Sequence, residues 1–422
     1  MKDKVVVTGT GLVSALGLSA SETWDALLSL NSGIRQIEGA HKDGFPCGAA
    51  ARVHGLDAHN LNIHPRDSRI MGPHSFMLMK ASRDAFRSAG LGGGAVASEE
   101  IGYFAGMGMV DYAIDDLMPA ILESLNERGK LDYDKFFSAA YQQIHPLWPL
   151  SMLNNISFCQ TAIDLGIKGE NTTFCPHADS GMDSIIEAYY TALEKRAKVV
   201  LAGGVSEVIS PSSMARASWF NLLNTTDSGC RPFGKDRRGT ILGEGAGILS
   251  IELASTAAAR NVSPLAVIRG FGASFEVDDK ESVTTPYAIS LSMEMALDRA
   301  NLRPSDIGLI IAHGDGTFGG DRNEIDAIHG TFGDSVSKVN VFASKGALGN
   351  LLAGASAVDV ILGIYMLNNG IIPATYGASP CDERVRFDLV TGEPLKKAPG
   401  KIMINSSSYE GQCASLIIEA VA

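Results

Sequence analysis

The sequence predicts an α/β fold built from two similar halves. Short β-branched runs alternate with amphipathic helical segments, and this alternation occurs twice, with a joint near residues 252–264. Hydrophobic residues make up 45% of the 422-residue chain, and its 46 glycines allow many tight turns. Such alternation is typical of parallel strands that are covered by helices on both faces.

The N-terminal half contains five short apolar runs and three helical segments. Its strands are predicted at Val5–Thr8, Ile101–Gly106, Thr172–Cys175, Val199–Ala202 (closed by Gly203 and Gly204) and Gly243–Glu252. Its helices are predicted at Ser21–Leu30, with Ser21 as N-cap, at Phe76–Ala89 and at Asp179–Arg196.

The C-terminal half repeats this rhythm. Its strands are predicted at Leu265–Gly270, Ile307–Ala312, Val339–Ala343, Lys401–Asn405 and Ala414–Glu419, and its helices at Ile289–Ala300, Arg322–Phe332 and Ala353–Asn368. The two halves are therefore expected to span residues 1–255 and 256–422. The segment Asp111–Pro146, rich in helix formers and charges, is either an insertion that caps a cavity or partner surface, or a solvated helical hairpin.

Composition excludes several classes of function. The net charge is −12 and no block of Lys or Arg could neutralise a run of phosphates, so no nucleic-acid partner is expected. No uninterrupted apolar run of about 18 residues predicts a membrane span, and the N-terminus is predicted as a strand rather than a signal peptide. The six scattered cysteines form no CxxC pair, which argues against a disulfide framework or a zinc site and favours a reducing cytoplasm.

Two stretches carry a resemblance to a known family. HGDGTFGGDRNEIDAI (His313–Ile328) is similar to the HGTxTxxGDxxE motif of β-ketoacyl-carrier-protein synthases. CRPFGKDRRGTILGEGAGILSIE (Cys230–Glu252) is similar to their RPFDxxRDGFxxGEGAGxLxLE segment. The resemblance implies a thiolase-like fold, with two similar α/β halves in a five-layered αβαβα arrangement, and implies no cofactor or metal.

In this family a cysteine three residues before a glycine opens a buried helix and attacks an acyl thioester. A helix N-terminus favours the thiolate that such chemistry needs. The matching glycine here is Gly181, which places Ala178 at the nucleophile position. The intervals from Gly169 to Ala178 and from Ala178 to Gly203 also fit the family. A methyl group cannot be acylated, so covalent catalysis from this position is excluded.

Cys175 is the alternative nucleophile, because TTFC is similar to the run that precedes the family's cysteine. Choosing it requires a three-residue insertion where the outer spacings already fit. Pro176 and His177 follow it, so Cys175 is predicted to lie on a buried strand as a small packed side chain.

The remaining family positions are partly altered. His313 matches the first family histidine, and Lys345 and Glu324 are also retained and are expected to form a buried polar network. Asp315 stands where a threonine is usual, and its carboxylate is expected to raise the pKa of His313. Asn350 replaces the second histidine and cannot exchange protons near neutral pH.

The C-terminal gate of the family is changed as well. Ser407 replaces the gating phenylalanine, and Ser408 and Glu410 replace two glycines of a loop that must flex. Together with Ala178 and Asn350, these changes are expected of a fold that is kept for assembly rather than for catalysis.

The resemblance is closest to the chain-length factors of type II polyketide synthases. These carry a DLVxGEPR-like run, and FDLVTGEPLKKAP near the C-terminus of this chain is similar to it. Such a subunit pairs with an active ketosynthase, and the pair serves an acyl carrier protein and malonyl or polyketide thioesters. Many chain-length factors carry glutamine where this chain has Ala178. Two alternatives are a homodimeric condensing enzyme or malonyl decarboxylase that uses Cys175 or His313, and a binding protein without a synthase partner.

The resemblance also implies where length control and pairing occur. The family pairs through a strand near the nucleophile, here around Thr172–Cys175. Candidates for tunnel-lining side chains are Met107, Met109, Val110 and Met152. Ordinary core or interface packing would explain each of them equally well, because methionine fills irregular gaps in any core.

Overall fold

Eleven strands form one continuous mixed sheet, in the order β14-β12-β11-β16-β17-β8-β1-β7-β6-β4-β5. This computed structural model describes residues 3–40, 45–109, 116–175, 178–224, 226, 229–278 and 283–421. The strands of this sheet are β1 (Val5–Ser14), β4 (Ile101–Met107), β5 (Asn171–Phe174), β6 (Val199–Val205), β7 (Gly245–Leu253), β8 (Ala266–Phe275), β11 (Leu309–Ile311), β12 (Asn340–Phe342), β14 (Asp388–Leu389), β16 (Lys401–Ser407) and β17 (Gln412–Glu419). Short two-residue ladders are formed by β2 (Arg35–Gln36) with β3 (Ala49–Ala50), β9 (Val277–Asp278) with β10 (Val283–Thr284), and β13 (Ile371–Ile372) with β15 (Leu395–Lys396).

Fourteen α-helices are assigned in the described residues. They are α1 (Ala20–Leu28), α2 (Pro65–Ser68), α3 (Pro73–Ser88), α4 (Met118–Glu123), α5 (Tyr133–Ser138), α6 (Trp148–Ser151), α7 (Asn154–Leu165), α8 (Ser180–Leu193), α9 (Pro211–Trp219), α10 (Ala254–Ala259), α11 (Pro286–Ala300), α12 (Phe318–Phe332), α13 (Lys345–Leu348) and α14 (Ala355–Asn369).

The two halves have the same topology, as predicted. In the first, β5, β4 and β6 run parallel, while β7 and β1 continue the sheet in antiparallel pairs. In the second, β12, β11 and β16 run parallel, while β17 and β8 continue it in antiparallel pairs. The halves meet where β1 pairs with β8 over two residue pairs. The expectation of parallel strands therefore holds for the three outer strands named in each half and was wrong for the two inner ones.

Helices cover both faces of each half, giving five layers. The helices α3 and α7 lie outside the first half, α8 and α14 lie between the halves, and α11 and α12 lie outside the second. Strand residues follow this layering, since Tyr103 and Leu201 face the first outer layer and Phe104 and Ala202 face the central one. Because both faces of the sheet are buried, antiparallel strands also show continuous apolar runs, which explains the error in predicted direction.

Two local predictions were corrected, and one long helix was missed. The first helix is capped by Ser19 rather than Ser21, because the Ser19 hydroxyl accepts from the N–H of Glu22. Gly203 and Gly204 do not close β6 but lie inside it, and a Cβ at Gly203 would stand 2.0 Å from the carbonyl oxygen of Gly247. The helix α7 was not predicted.

One helical stretch has the length and hydropathy of a membrane-spanning segment. The stretch Leu352–Asn369 is long and apolar enough to cross a membrane, but 83% of it is buried inside the protein. It therefore has the character of a core helix, here placed between the two halves of the sheet.

Candidate functional site

The loop that carries His313 is shaped by one buried carboxylate. This loop connects β11 to α12, whose N-cap is Thr317. Glu324, on α12, accepts the backbone N–H groups of His313 and Gly314, each at 2.8 Å. Burial raises the pKa of Glu324, and these two hydrogen bonds oppose the shift. Glu324 thus fixes the backbone on which the histidine stands.

The His313 ring is held in its neutral form. Its Nδ1 accepts the backbone N–H of Ser407 at 3.2 Å, so the ring proton belongs on Nε2. Burial lowers the pKa of His313 well below its usual value, and the nearby Lys345 ammonium lowers it further. Lys345 is itself buried and donates to the carbonyl oxygen of His313.

The expectation that the Asp315 carboxylate raises the pKa of His313 was wrong. The carboxylate Oδ2 of Asp315 lies 4.0 Å from Nε2 of His313. Its Oδ1 accepts both the N–H and the hydroxyl of Thr317 at 2.7 Å. The side chain is therefore engaged with its own turn, while burial and Lys345 determine the charge state of the ring.

The polar network extends beyond Lys345 and Glu324, the two residues predicted to form it. Asp321 accepts the N–H groups of Phe233 and Gly316, at 2.6 Å and 3.0 Å. Burial raises the pKa of Asp321 well above its usual value, and Asp315 adds to the shift. Asn405 donates to Glu324 at 3.3 Å. Asp321 was not singled out from the sequence, although the GGD run before Glu324 is a signal that could have identified it.

Ala178 lies two residues before α8 begins at Ser180. It is 4% exposed and belongs to an apolar cluster that includes Ile209, Met214 and Leu352. The side chain of Ala178, just before this helix, is thus a methyl group within an apolar cluster. It offers no group for covalent chemistry.

Asn350 forms hydrogen bonds with the backbone of neighbouring residues. Its Oδ1 accepts the N–H of Leu352 at 3.1 Å, and its own N–H donates to the carbonyl of Ile241 at 2.7 Å. Asn350 also lines a cavity of about 10 Å³, together with Leu352 and Glu207. Such a volume holds roughly one water molecule. This cavity has no room for an acyl chain.

The gate segment is tied to its surroundings through small polar contacts. The hydroxyl of Ser407 lies 3.6 Å from the buried Cys413 Sγ, and burial raises the pKa of that thiol to about 12. The ring of Tyr409 packs against that of Phe220, with centroids 4.6 Å apart. Ser408 donates to the Glu410 carboxylate at 2.9 Å. This segment therefore closes over the apolar cluster that contains Ala178 and Phe220.

Cys175 does not lie on a buried strand, which corrects the prediction. β5 ends at Phe174, and Cys175 is exposed just beyond it. The amide of Asn154 donates to its Sγ at 3.1 Å and to the carbonyl of Gly108 at 3.0 Å. The strand is short and lies at the sheet edge, so its end is open to solvent.

The four candidate tunnel residues occupy different environments. Met107 is 1% exposed and packs in the outer core of the first half. Met109 is 44% exposed, and its N–H donates to the Glu207 carboxylate at 3.0 Å. Met152 is half-buried, and Val110 lies outside the described residues. Of the three candidates that the structure describes, Met109 and Met152 have side chains that reach the surface.

No metal centre is evident in the parts of the chain that the structure describes, since they contain no group of three or more His, Cys, Asp or Glu side chains placed to hold an ion. The acidic residues near His313 are instead occupied by backbone N–H donors.

Comparison with known proteins agrees with the fold and with the sequence motifs. Residues 2–257 match the β-ketoacyl synthase N-terminal domain, and residues 265–379 match the β-ketoacyl synthase C-terminal domain. The 3-oxoacyl-[acyl-carrier-protein] synthase 2 of Staphylococcus aureus (strain COL) is 27% identical over 99% of this chain and 98% of its own. The protein of the same description from Coxiella burnetii is 27% identical over 100% of this chain and 99% of its own.

Among solved structures, the ishigamide ketosynthase/chain length factor is 26% identical and covers 100% of both chains, with a TM-score of 0.87. The predicted thiolase-like architecture is thus confirmed. The chain belongs to the β-ketoacyl synthase family.

Proposed function

We propose that this chain is the chain-length-factor subunit of a heterodimeric type II polyketide synthase. In this role it pairs with an active ketosynthase, which performs the decarboxylative condensation of malonyl and polyketide thioesters carried by an acyl carrier protein. The chain itself shapes the tunnel that limits product length. Its site of action is then the cytoplasm.

The observation that carries the proposal is the methyl group of Ala178, which lies two residues before α8 and belongs to a buried apolar cluster. A β-ketoacyl synthase needs a thiolate there and a second proton-handling group beside it. Asn350 supplies neither, and the cavity it borders holds about one water molecule. The retained Glu324, Lys345 and His313 network then serves to stabilise the fold.

The edge strand β5 supports the pairing. It is the last strand of the sheet and hydrogen-bonds to β4 on one side. Its residues Asn171 and Thr172 are exposed. An exposed strand edge favours burial against a partner subunit.

The second candidate is an enzyme, because the curated relatives are named as synthases. A homodimeric condensing enzyme or malonyl decarboxylase would act through Cys175 or His313. Cys175 is exposed and does not belong to α8, which begins at Ser180, whereas a thiolate is favoured at a helix N-terminus. His313 does keep a protonated Nε2, so decarboxylation is the stronger form of this candidate.

The test is intact-protein mass spectrometry after incubation with an acyl-carrier thioester. The chain is examined alone and together with a co-expressed intact ketosynthase. A Cys175→Ala variant is the matched control. We expect acyl mass on the ketosynthase only, with the two chains co-purifying.

Two outcomes would reject the proposal. Stoichiometric acylation of this chain that disappears in Cys175→Ala would make Cys175 a nucleophile. Release of CO2 from a malonyl thioester by the isolated chain, lost in His313→Ala, would make it a decarboxylase.

A further inference from the structure

Two neighbouring strands of the first half end side by side, and a loop follows each of them. The strands β4 and β6 run parallel, and their last residues, Met107 and Val205, lie opposite each other. The loops that follow parallel strands leave the sheet at the same edge. A Cβ at Gly108 would lie 2.3 Å from Cγ of Glu207, so only glycine lets this side chain pass. The loop before α9 therefore contacts the segment that follows β4.

The peptide group between Gly108 and Met109 is held by side chains at both of its polar atoms. The carbonyl oxygen of Gly108 accepts from the amide of Asn154 at 3.0 Å. The N–H of Met109 donates to the carboxylate of Glu207 at 3.0 Å. Because the atoms of a peptide group lie in one plane, these two hydrogen bonds fix the orientation of that plane. They thereby restrict the direction in which the Met109 side chain leaves the backbone.

Both of these side chains are themselves anchored. Asn154 is the first residue of α7, and its amide also donates to Sγ of Cys175 at 3.1 Å. Glu207 is 8% exposed, and the guanidinium of Arg216 on α9 donates to its second carboxylate oxygen. A charge-assisted hydrogen bond with little exposure to water is strong. Met109 is 44% exposed, so packing around its own side chain constrains it less than these hydrogen bonds do.

We propose that Glu207 and Asn154 are positioning residues that set product length through Met109. The inference rests on the proposed function, in which Met109 is a candidate for the tunnel wall. A side chain that limits a growing polyketide must keep one position, since a mobile side chain would allow chains of several lengths. A peptide group fixed at both of its polar atoms supplies this rigidity from outside the tunnel.

Hydrogen exchange of the isolated chain tests the positioning, read by mass spectrometry on the peptide that contains Met109. The variant is Glu207→Ala. The matched control is Asp382→Ala in the second half, because Asp382 also accepts one backbone N–H, from Arg384 at 2.9 Å, and one guanidinium, from Arg237 at 2.6 Å. The Met109 N–H should exchange about tenfold faster or more in Glu207→Ala, since it loses its acceptor. The control should leave this exchange unchanged.

Reconstitution with an active ketosynthase and an acyl carrier protein tests the effect on length. Asn154→Ala and Glu207→Ala are compared with Asn60→Ala, which removes an amide that donates to another glycine carbonyl, that of Gly55, at 2.9 Å. In both positioning variants, products of other lengths should rise by about fivefold relative to the main product. Asn60→Ala should leave this ratio unchanged. A loss of stability alone would lower the total yield and leave the ratio as it is.

The inference is rejected if the unaltered pair makes a product of defined length and both positioning variants give the same length distribution. Unchanged exchange of the Met109 N–H in Glu207→Ala would reject it as well. Should Glu207→Ala not fold, Asn154→Ala decides the matter, because Asn154 is only half-buried. Acylation or decarboxylation by the isolated chain would instead overturn the proposed function, and the role in length control would fall with it. The exchange measurement would still show whether Glu207 holds Met109.

Discussion

The Nζ of Lys345 lies 3.5 Å from Nδ1 of His313 and donates to that residue's own carbonyl oxygen. A buried ammonium beside the imidazole makes a second positive charge costly, in addition to the cost of burial. The histidine is thereby kept neutral, with Nδ1 as acceptor and Nε2 as donor.

His313 is expected to stay neutral as the pH falls through about 6.5, where a solvated histidine would gain a second ring proton. The measurement is an NMR titration of the imidazole resonances, assigned with a His313→Gln variant. A midpoint near 6.5 for His313 would contradict the geometry described for Lys345.

Stability should fall as the pH drops below about 6.5, and His74 is one cause. Burial lowers the pKa of His74 from 6.5 to about 4, so the unfolded chain binds a proton that the folded chain excludes. The loss should amount to roughly 3 kcal/mol between about pH 7 and about pH 4. Denaturant unfolding at several pH values measures it. His74→Gln should flatten this dependence, and the same change at the exposed His59 should not.

Glu324→Gln should destabilise the fold by roughly 2–4 kcal/mol. Two backbone N–H groups point at two carboxylate oxygens, and an amide offers an acceptor to only one of them. The free energy of unfolding in denaturant measures the effect. Glu383→Gln, at a side chain that is 81% exposed, is the control and should change it by less than about 1 kcal/mol. Equal effects of the two changes would show that the His313 loop does not depend on Glu324.

Thr173→Pro should abolish co-purification with a ketosynthase while leaving the isolated chain folded. Tyr103 donates its N–H to the carbonyl of Glu170, so by the alternation of a parallel ladder the N–H of Thr173 points away from β4. Proline removes that donor and is tolerated on an edge strand. Thr173→Ala keeps the N–H and should co-purify normally. Retention of the partner by Thr173→Pro would exclude pairing through β5.

Met109 should influence product length if it lines the tunnel. Met109→Ala enlarges the space and should lengthen the polyketide, whereas Met109→Trp should shorten it. Mass spectrometry of the products from the reconstituted complex provides the measurement. Met107→Ala, in the outer core, should reduce stability by about 2–5 kcal/mol without changing the length. An unchanged product distribution in both Met109 variants would remove Met109 from the tunnel.

Much of the fold could be predicted from hydrophobic periodicity, because each half repeats the same short strands and amphipathic helices. The helix α7 was missed since it begins after Leu153 without a capping side chain, which leaves no start signal. The extent of β6 was underestimated because glycines usually mark turns. Gly203 is required there by close approach of β7, a contact between residues far apart in sequence.

The residues of the site could be located from motifs, but their charge states could not. Asp315 is two positions from His313 in sequence, yet its carboxylate turns toward Thr317. Lys345 is 32 positions away and approaches the ring through the fold. The protonation of His313 depends on this tertiary arrangement, which sequence spacing does not contain.

The position of β5 at the edge of the sheet affects the specificity of subunit pairing. Its free N–H and C=O groups would bind any strand of suitable length, including that of a second identical chain, because main-chain hydrogen bonds do not depend on side-chain identity. Discrimination between self-association and a foreign subunit must then come from the side chains around the edge. Lineages that swap partners should therefore change those flanking side chains while the strand itself stays the same length.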